Sequence, residues 1–238
     1  MTGADIETTY EPKTFFQKLK RLTAEFIGRE RANKISAPYY DWLARRQTKQ
    51  RLLTLSQSNL LVNLGCGYNA LRGWINVDIA RGSQVDIVWD LRKGLPFANK
   101  SCSAIFSEHV IEHLSKEDGE NLLRECFRIL QPEGVLRLST PDAGKFLRSY
   151  AGDGEFLRHP EFSEPVETPL DRINQMMRES GQHLWIYDTA SLQNLLKRLG
   201  FTLVAEQNFG QSLHPQMQNL DTAGRAFESL YIEAVKGL

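Results

Sequence analysis

Leu60-Leu61-Val62-Asn63-Leu64-Gly65-Cys66-Gly67-Tyr68-Asn69, followed shortly by Ile75-Asn76-Val77-Asp78-Ile79, is the stretch that decides the fold. Its opening apolar run, closed by glycines, reads as a parallel strand buried on both faces, because such a strand loses polar alternation. Gly65 and Gly67 let the backbone turn sharply and approach a ligand with no Cβ in the way. In open α/β sheets ligands lie beyond the carboxyl ends of the strands, at the switch point. With Ala70 the stretch also satisfies G-x-G-x-x-A, the dinucleotide fingerprint, although a lone match is weak. The spacing to Asp78 argues against a dinucleotide. An acid ending the second strand accepts from ribose hydroxyls, but in dinucleotide folds it lies about 20 residues past the glycines. Here it follows much sooner, and the crossover through Arg72-Gly73-Trp74 leaves little room for a helix. A pyrophosphate needs that helix N-terminus as its cradle, whereas a phosphate-free nucleoside does not.

Further strands are expected at Val85–Trp89, Ala104–Ser107 and Gly134–Ser139, with an amphipathic helix from Lys116 to Leu130 before the last. A helix from Thr189 to Leu199, closed by Gly200, precedes an antiparallel pair at Phe201–Asn208 and Ser229–Val235. Strands alternating with helices imply βαβ units, hence a doubly wound, mostly parallel, seven-stranded Rossmann-like α/β sheet. Residues 142–183, broken by Pro160, Pro165 and Pro169, are too long for a simple loop and read as a helical lid that shapes a substrate site. Residues 1–55 read as a helical extension before a domain at 56–238. Phe15, Phe16, Leu19, Leu22, Phe26 and Ile27 recur at helical steps, and a second segment runs from Tyr39 to Leu55 beyond Pro38. Its lysines and arginines suit a solvated face above an apolar stripe; membrane-surface or nucleic-acid contact is the competing reading.

The chain has 238 residues, 41% hydrophobic and 24% charged, with zero formal net charge. That composition suits a soluble globular protein and gives no global pull toward nucleic acid. No apolar run approaches the roughly 18–20 residues that span a bilayer. The start MTGADIETTYEPK lacks a basic region followed by an apolar core, so no secretory signal is read there. Cys66, Cys102 and Cys126 are odd in number and form no C-x-x-C pair, which speaks against a disulfide framework or a cysteine zinc site. A cytoplasmic location is expected.

Trp89-Asp90-Leu91 and Leu95-Pro96-Phe97 complete the pattern. Asp90 suits an adenine amino group with Leu91 on the ring, or else a loop cap. In order, NLGCG, INVDI, WDL, LPF, SEHVIEHL and RECFRILQPEGVLRLSTPD resemble the class I S-adenosylmethionine-dependent methyltransferases, in particular the type-11 methyltransferase domain. The resemblance runs from Leu60 to Asp142 and more weakly to Lys236. Its most specific part is a helix running through Gln131-Pro132-Glu133-Gly134 into a strand. It implies that Gly65, Cys66 and Gly67 face the methionine part, Asp78 holds the ribose with Ile79 beside it, and Asp90 and Leu91 meet the adenine. Ser107, Glu108 and His109 would lie under the cofactor where the acceptor enters. Two positions depart from the family pattern: Asn63 replaces the usual acid and Asn69 the usual third glycine. Asn63 still accepts from the methionine ammonium, but less strongly than a carboxylate.

His109-Val110-Ile111-Glu112-His113 has the H-x-x-E-H spacing of some zinc proteases, but those motifs need a long helix. It also resembles the E-x-x-E-H metal motif of some methyltransferases acting on RNA 3′ ends or catechols, with His183 as a distant fourth ligand. In metal-free relatives the same pair packs and caps a helix. No metal is expected, and His109, Glu112 and His113 are the alternative ligand set. His109 is the candidate general base for a hydroxyl acceptor; an amine or phenolate needs none. His183 is the second catalytic candidate, and His113, Tyr187 and Arg225 are the substrate-side candidates. Tyr187 also suits core packing, as does Trp185, and Arg225 suits a pair with Glu228. His214 completes the polar set. The function implied is methyl transfer from S-adenosylmethionine, leaving S-adenosylhomocysteine, to an O or N atom of a small-molecule or saccharide-type metabolite. An NAD-dependent oxidoreductase and a non-catalytic S-adenosylmethionine-binding module are the alternatives. A monomer or homodimer without a nucleic-acid partner is expected.

Overall fold

The computed structural model describes residues 42, 46–55, 58–82, 84–162 and 164–238. The helix expected from Phe15 to Ile27 and the start of the one expected from Tyr39 lie outside those residues; residues 46–54 are helical. The chain divides into two units, Met1–Lys49 and Gln50–Leu238, and the second holds the whole sheet.

Seven strands form one sheet: β1 (Leu60–Leu64), β2 (Ile75–Asp78), β3 (Ile87–Val88), β4 (Cys102–Glu108), β5 (Leu130–Pro141), β6 (Phe201–Glu206) and β7 (Ser229–Lys236). Their order is β3-β2-β1-β4-β5-β7-β6. β1 to β5 pair in parallel, and β7 runs antiparallel to both β5 and β6. The chain moves outward from β1 to β3, then returns to start again at β4. A crevice opens where the two directions part, beyond the carboxyl ends of β1 and β4. The expected doubly wound, mostly parallel sheet is the fold observed.

The elements form for local reasons. In α1 (Lys116–Ile129) Ser115 caps the first turn by accepting from the Asp118 N–H, and Leu122, Leu123, Cys126 and Ile129 fall on one buried face. α2 (Ala143–Ala151) is capped by Asp142. α3 (Pro169–Arg178) starts with proline behind a Thr168–Asp171 capping box, and α4 (Thr189–Arg198) behind an Asp188–Ser191 box. Val62, Leu64, Ile105, Leu123 and Leu136 are wholly buried at the centre of the main core. Residues 142–183 carry a separate apolar cluster of Ala143, Phe146, Leu157, Ile173 and Met176, which is why this long segment is ordered.

Two details correct the sequence reading. α1 ends at Ile129, so Gln131-Pro132-Glu133-Gly134 belongs to the entry of β5 and not to a helix. A Cβ on Gly134 would lie 2.9 Å from the Gln131 carbonyl oxygen, so only glycine fits where the chain drops into the sheet. The third strand is two residues long; just before it Asp86 donates its N–H to Asn76 O and accepts from the Asn76 N–H through Oδ2, both at 2.9 Å.

Arg137, wholly buried in the middle of β5, is a charge inside an apolar run. Its guanidinium meets Asp221 Oδ2 at 2.5 Å and Glu233 Oε1 at 3.0 Å, and Glu233 is its register partner on β7. Burial pulls the guanidinium pKa down, but the hydrogen bonds and charges of Asp221 and Glu233 outweigh it and leave it above its ordinary value. Removing one member of a buried ion network strands the others without water. Glu233→Gln should cost about 3 kcal/mol, and Arg137→Met, which strands two carboxylates, about 5 kcal/mol or more. Urea unfolding checks this, and losses below about 1 kcal/mol for both variants would show that the network does not hold the fold.

Candidate functional site

The tip of β1 is tied to β2 by backbone. The N–H groups of Gly65 and Cys66 both donate to Val77 O, at 2.8 and 3.1 Å. The Gly67 N–H donates to Asp78 Oδ2 at 2.8 Å and the Ala80 N–H to Asp78 Oδ1 at 2.7 Å. Gly65 and Gly67 take left-handed φ values of 67° and 49°. A Cβ on Gly65 would lie 2.2 Å from Val110 Cγ2, so the loop after β4 presses on this turn. A Cβ on Gly67 would meet nothing within 4 Å.

These residues fit an adenosyl ligand. Each Asp78 oxygen has spent one lone pair on a backbone donor and keeps another. The space over Gly67 is open, and Ile79, 62% exposed, stands beside it as an apolar surface. Residues 65–74 contain no helix, so a pyrophosphate would find no helix N-terminus after β1. Burial, then the charge of Asp78, pushes the Cys66 thiol up to about 11, so Cys66 serves as packing and not as a nucleophile.

Other cofactor-side residues land differently. Asn63 is 2% exposed, and its amide donates to Asn69 O at 3.1 Å and to Asn76 Oδ1 at 3.0 Å. It braces the glycine turn, where a contact to the methionine ammonium was expected. Leu91 lies in the main core, not open to a ring. Asp90 caps the short turn after β3 and is gripped by Arg92 at 2.8 and 2.9 Å. The Arg92 hydrogen bond holds its carboxyl below the usual range. Ser107 is buried near the end of β4, and both Glu108 oxygens are taken by Thr222, at 2.8 Å from its N–H and 2.5 Å from its hydroxyl.

Beyond β4 a cavity of about 370 Å³ opens between the sheet edge and residues 142–183. His109, Phe162, Arg172, His183, Phe227 and Glu228 are among its walls, with Arg225 at its edge. Phe162 and Phe227 meet edge to face at 4.9 Å, and the Arg172 guanidinium lies 4.1 Å above the Phe162 ring. Sequence reasoning missed Phe146, Phe162 and Arg172, since residues 142–183 have no periodic pattern to sort wall from surface, and it missed Phe227 in the irregular stretch before β7.

His109 sits in the left-handed region with φ 51°. Its Nε2 lies 2.6 Å from the Ser229 hydroxyl and its Nδ1 3.2 Å from Glu112 Oε1. Ser229 gives its own proton to Arg225 O at 2.8 Å, so its oxygen accepts from Nε2–H. Both ring nitrogens are therefore occupied, which corrects the expectation of His109 as a free base. Glu228 is the wall group left available: burial pushes its carboxyl up, and no ion pair joins it to Arg225 among the described residues.

His183 faces the cavity, while His113 stands outside it with its ring 5.0 Å from that of His183. Tyr187 is 2% exposed in the main core, with its hydroxyl against Gly119. It packs there and does not line the acceptor cavity. The alternative metal set changes too: the fold brings Glu112 and His113 together with His183, not with His109.

The two glycines make opposite predictions. Gly67→Ala should cost about 1–2 kcal/mol of stability, the penalty for a left-handed φ, while crowding the cofactor space. Gly65→Ala adds a clash with Val110 worth about 1–3 kcal/mol more, and Val110→Ala in the same chain should recover most of that difference. Calorimetric melts of the three variants check this; equal losses for both glycines would contradict the packing described.

A family model for a methyltransferase domain matches residues 32–206. Over 68 residues the chain is 43% identical to malonyl-[acyl-carrier protein] O-methyltransferase 1 of Coxiella burnetii. That stretch covers 28% of this chain and 23% of that protein, so the chain spans about a quarter of the relative's length. A Thermotoga maritima S-adenosylmethionine-dependent methyltransferase, described as a possible histamine N-methyltransferase, superposes with TM-score 0.49 at 18% identity, over 93% of this chain and 99% of that one. Phosphoethanolamine N-methyltransferase 2 of Haemonchus contortus, in complex with S-adenosylmethionine, gives 0.46 at 13% identity, over 83% and 53%. With the family model matching most of its length, the chain belongs to the methyltransferase-domain family.

Proposed function

We propose that the protein transfers a methyl group from S-adenosylmethionine to an O or N atom of a small-molecule or saccharide-type acceptor held in the 370 Å³ cavity beside His109. Three chain neighbours carry this reading. Ser107 and Glu108 end β4 at the cofactor crevice, and His109 follows them directly into the cavity wall. A reacting atom in the cavity therefore lies next to the cofactor end of the sheet. The volume is that of a metabolite site, near the lower end of the roughly 300–1,000 Å³ typical of ligand pockets.

In this reading the turn at Gly65, Cys66 and Gly67 receives the methionine part, Asp78 accepts from the ribose hydroxyls and Ile79 packs on the adenosyl group. Asp90 marks the adenine end. Residues 56–238 form the cofactor-binding domain, and residues 142–183 shape the acceptor site. Bound S-adenosylmethionine supplies an electrophilic sulfonium methyl. What the chain adds is alignment of the acceptor, which supplies up to about 7–11 kcal/mol in favourable cases. Phe162 and Phe227 offer apolar faces and exclude water, while Arg225 orients polar substituents. Glu228 takes the acceptor proton when that acceptor is a hydroxyl or an ammonium. His109 positions the wall through Ser229 and Glu112.

Isothermal titration calorimetry with S-adenosylmethionine tests the cofactor half; a titration without heat would overturn it. Asp78→Asn should weaken binding by roughly 10- to 150-fold, the loss of one charge-assisted hydrogen bond worth about 1.5–3 kcal/mol. A methyl-transfer screen over hydroxyl, amine and carboxylate acceptors tests the other half. With a hydroxyl acceptor Glu228→Gln should lower kcat about 10²- to 10⁴-fold. Unchanged turnover in Glu228→Gln, with a collapse in His109→Ala, would return the base role to His109.

A further inference from the structure

Two histidines and two glutamates meet at the edge of the acceptor cavity. His113 lies in the short turn Ile111–His113 after β4, and His183 on the segment that returns from residues 142–182 to the sheet. The two segments are joined by backbone, since Glu112 O accepts from the N–H groups of Leu184 and Trp185 at 2.8 and 3.2 Å. His183 Nδ1 lies 2.5 Å from Met176 O, and His113 Nδ1 lies 3.3 Å from Gln182 O. A carbonyl only accepts, so each Nδ1 carries the ring proton, and in the neutral ring each Nε2 presents a lone pair.

Both lone pairs meet an anion. Glu179 Oε2 lies 2.8 Å from His183 Nε2 and 3.9 Å from His113 Nε2. Glu112 adds a second carboxylate, wholly buried, whose Oε2 accepts from the Thr140 hydroxyl at 3.1 Å and whose Oε1 faces His109 Nδ1 at 3.2 Å. One donor atom from each of Glu112, His113 and His183 lies within 4.8 Å of the other two. Electron pairs converging at this distance repel unless a cation sits among them. A backbone carbonyl behind each imidazole is the arrangement that fixes metal-ligating histidines. Ligand bonds of about 2.0–2.2 Å need the donors to close by about 1 Å, which side-chain torsions supply.

We propose that Glu112, His113 and His183, with Glu179 as fourth donor, bind one divalent transition-metal ion of the zinc class. Imidazole and carboxylate donors in this number suit zinc better than calcium or magnesium, which take oxygen ligands. The ion clamps the return segment onto the turn after β4 and so fixes one wall of the acceptor cavity. The proposal concerns this chain's own donors and does not depend on which acceptor is methylated.

The test uses the full chain, stripped with a chelator and dialysed, then titrated with zinc chloride by calorimetry. A parallel titration with cobalt(II) reads the ligand field from its visible absorption. One ion per chain and an intense tetrahedral cobalt spectrum are expected. His113→Ala and His183→Ala should each weaken zinc binding by at least about 10-fold. His113 is half-buried at the surface, so its variant keeps the fold even if His183→Ala does not, and Glu179→Gln serves as a further check. Absence of heat and of the cobalt bands, or affinity unchanged in His113→Ala, overturns the proposal and leaves a proton shared between His183 and Glu179.

Discussion

Val110 pressed onto Gly65 is the contact on which the arrangement of the site depends. β1 and β4 are parallel neighbours whose ends are aligned, Leu64 opposite Ser107, one residue before β4 stops. Their turns therefore leave the sheet at the same height and compete for one space. Any side chain at position 65 would force them apart, because its first carbon already overlaps Val110. With glycine there, the turn carrying Asp78's backbone donor and the turn leading to His109 pack against each other. The glycine turn after β1 and the cavity wall at His109 are thereby set by one interatomic contact, and a shift of either turn moves both.

A second set of interactions holds the roof in place. Arg137 binds Asp221, and Asp221 also accepts from the Gly210 N–H at 2.7 Å. Glu233 accepts from the Leu213 N–H at 2.6 Å. The buried guanidinium thus fixes both ends of residues 208–222 over the sheet. Thr222 follows Asp221 directly, and it occupies Glu108 and accepts from Asn69 Nδ2 at 3.2 Å. A charge placed deep in the sheet therefore sets a loop that bridges the tips of β1 and β4. This explains an ion network where apolar residues of similar volume would serve stability equally well.

Much of the fold was legible because it rests on patterns local to the chain. Apolar runs marked each strand, and helical periodicity marked α1 and α4. The short interval from Gly67 to Asp78 announced a crossover without a helix, and residues 65–74 contain none. What the sequence hid depends on pairing across strands or on packing of aperiodic segments. Asn63 and Asn76 are register partners, and their amide contact exists only once β1 and β2 are aligned. Leu91 and Tyr187 read as ligand contacts because an amphipathic side chain near a strand end suits a core as well as a pocket. One side of the cavity comes from residues 142–183, whose small separate core leaves no repeat to read. Arg137 and Glu233 were findable: each is a charge, of opposite sign, flanked on both sides by apolar residues within its strand.

The two departures from the family pattern, Asn63 and Asn69, are parts of one device. Asn63 is buried, and its amide gives one proton to the Asn69 carbonyl and another to Asn76. A carboxylate at position 63 would have no proton to give, and two buried acceptors would lose their donor. Asn69 in turn uses its own amide to reach Thr222, so the turn is held from within and from the roof. An acid at position 63 is therefore incompatible with this turn unless Asn69 and Asn76 change with it. Asn63 therefore contributes structure and no charge, while the carboxylates at the strand tips, Asp78 and Glu108, each accept one hydrogen bond per oxygen from neighbouring turns.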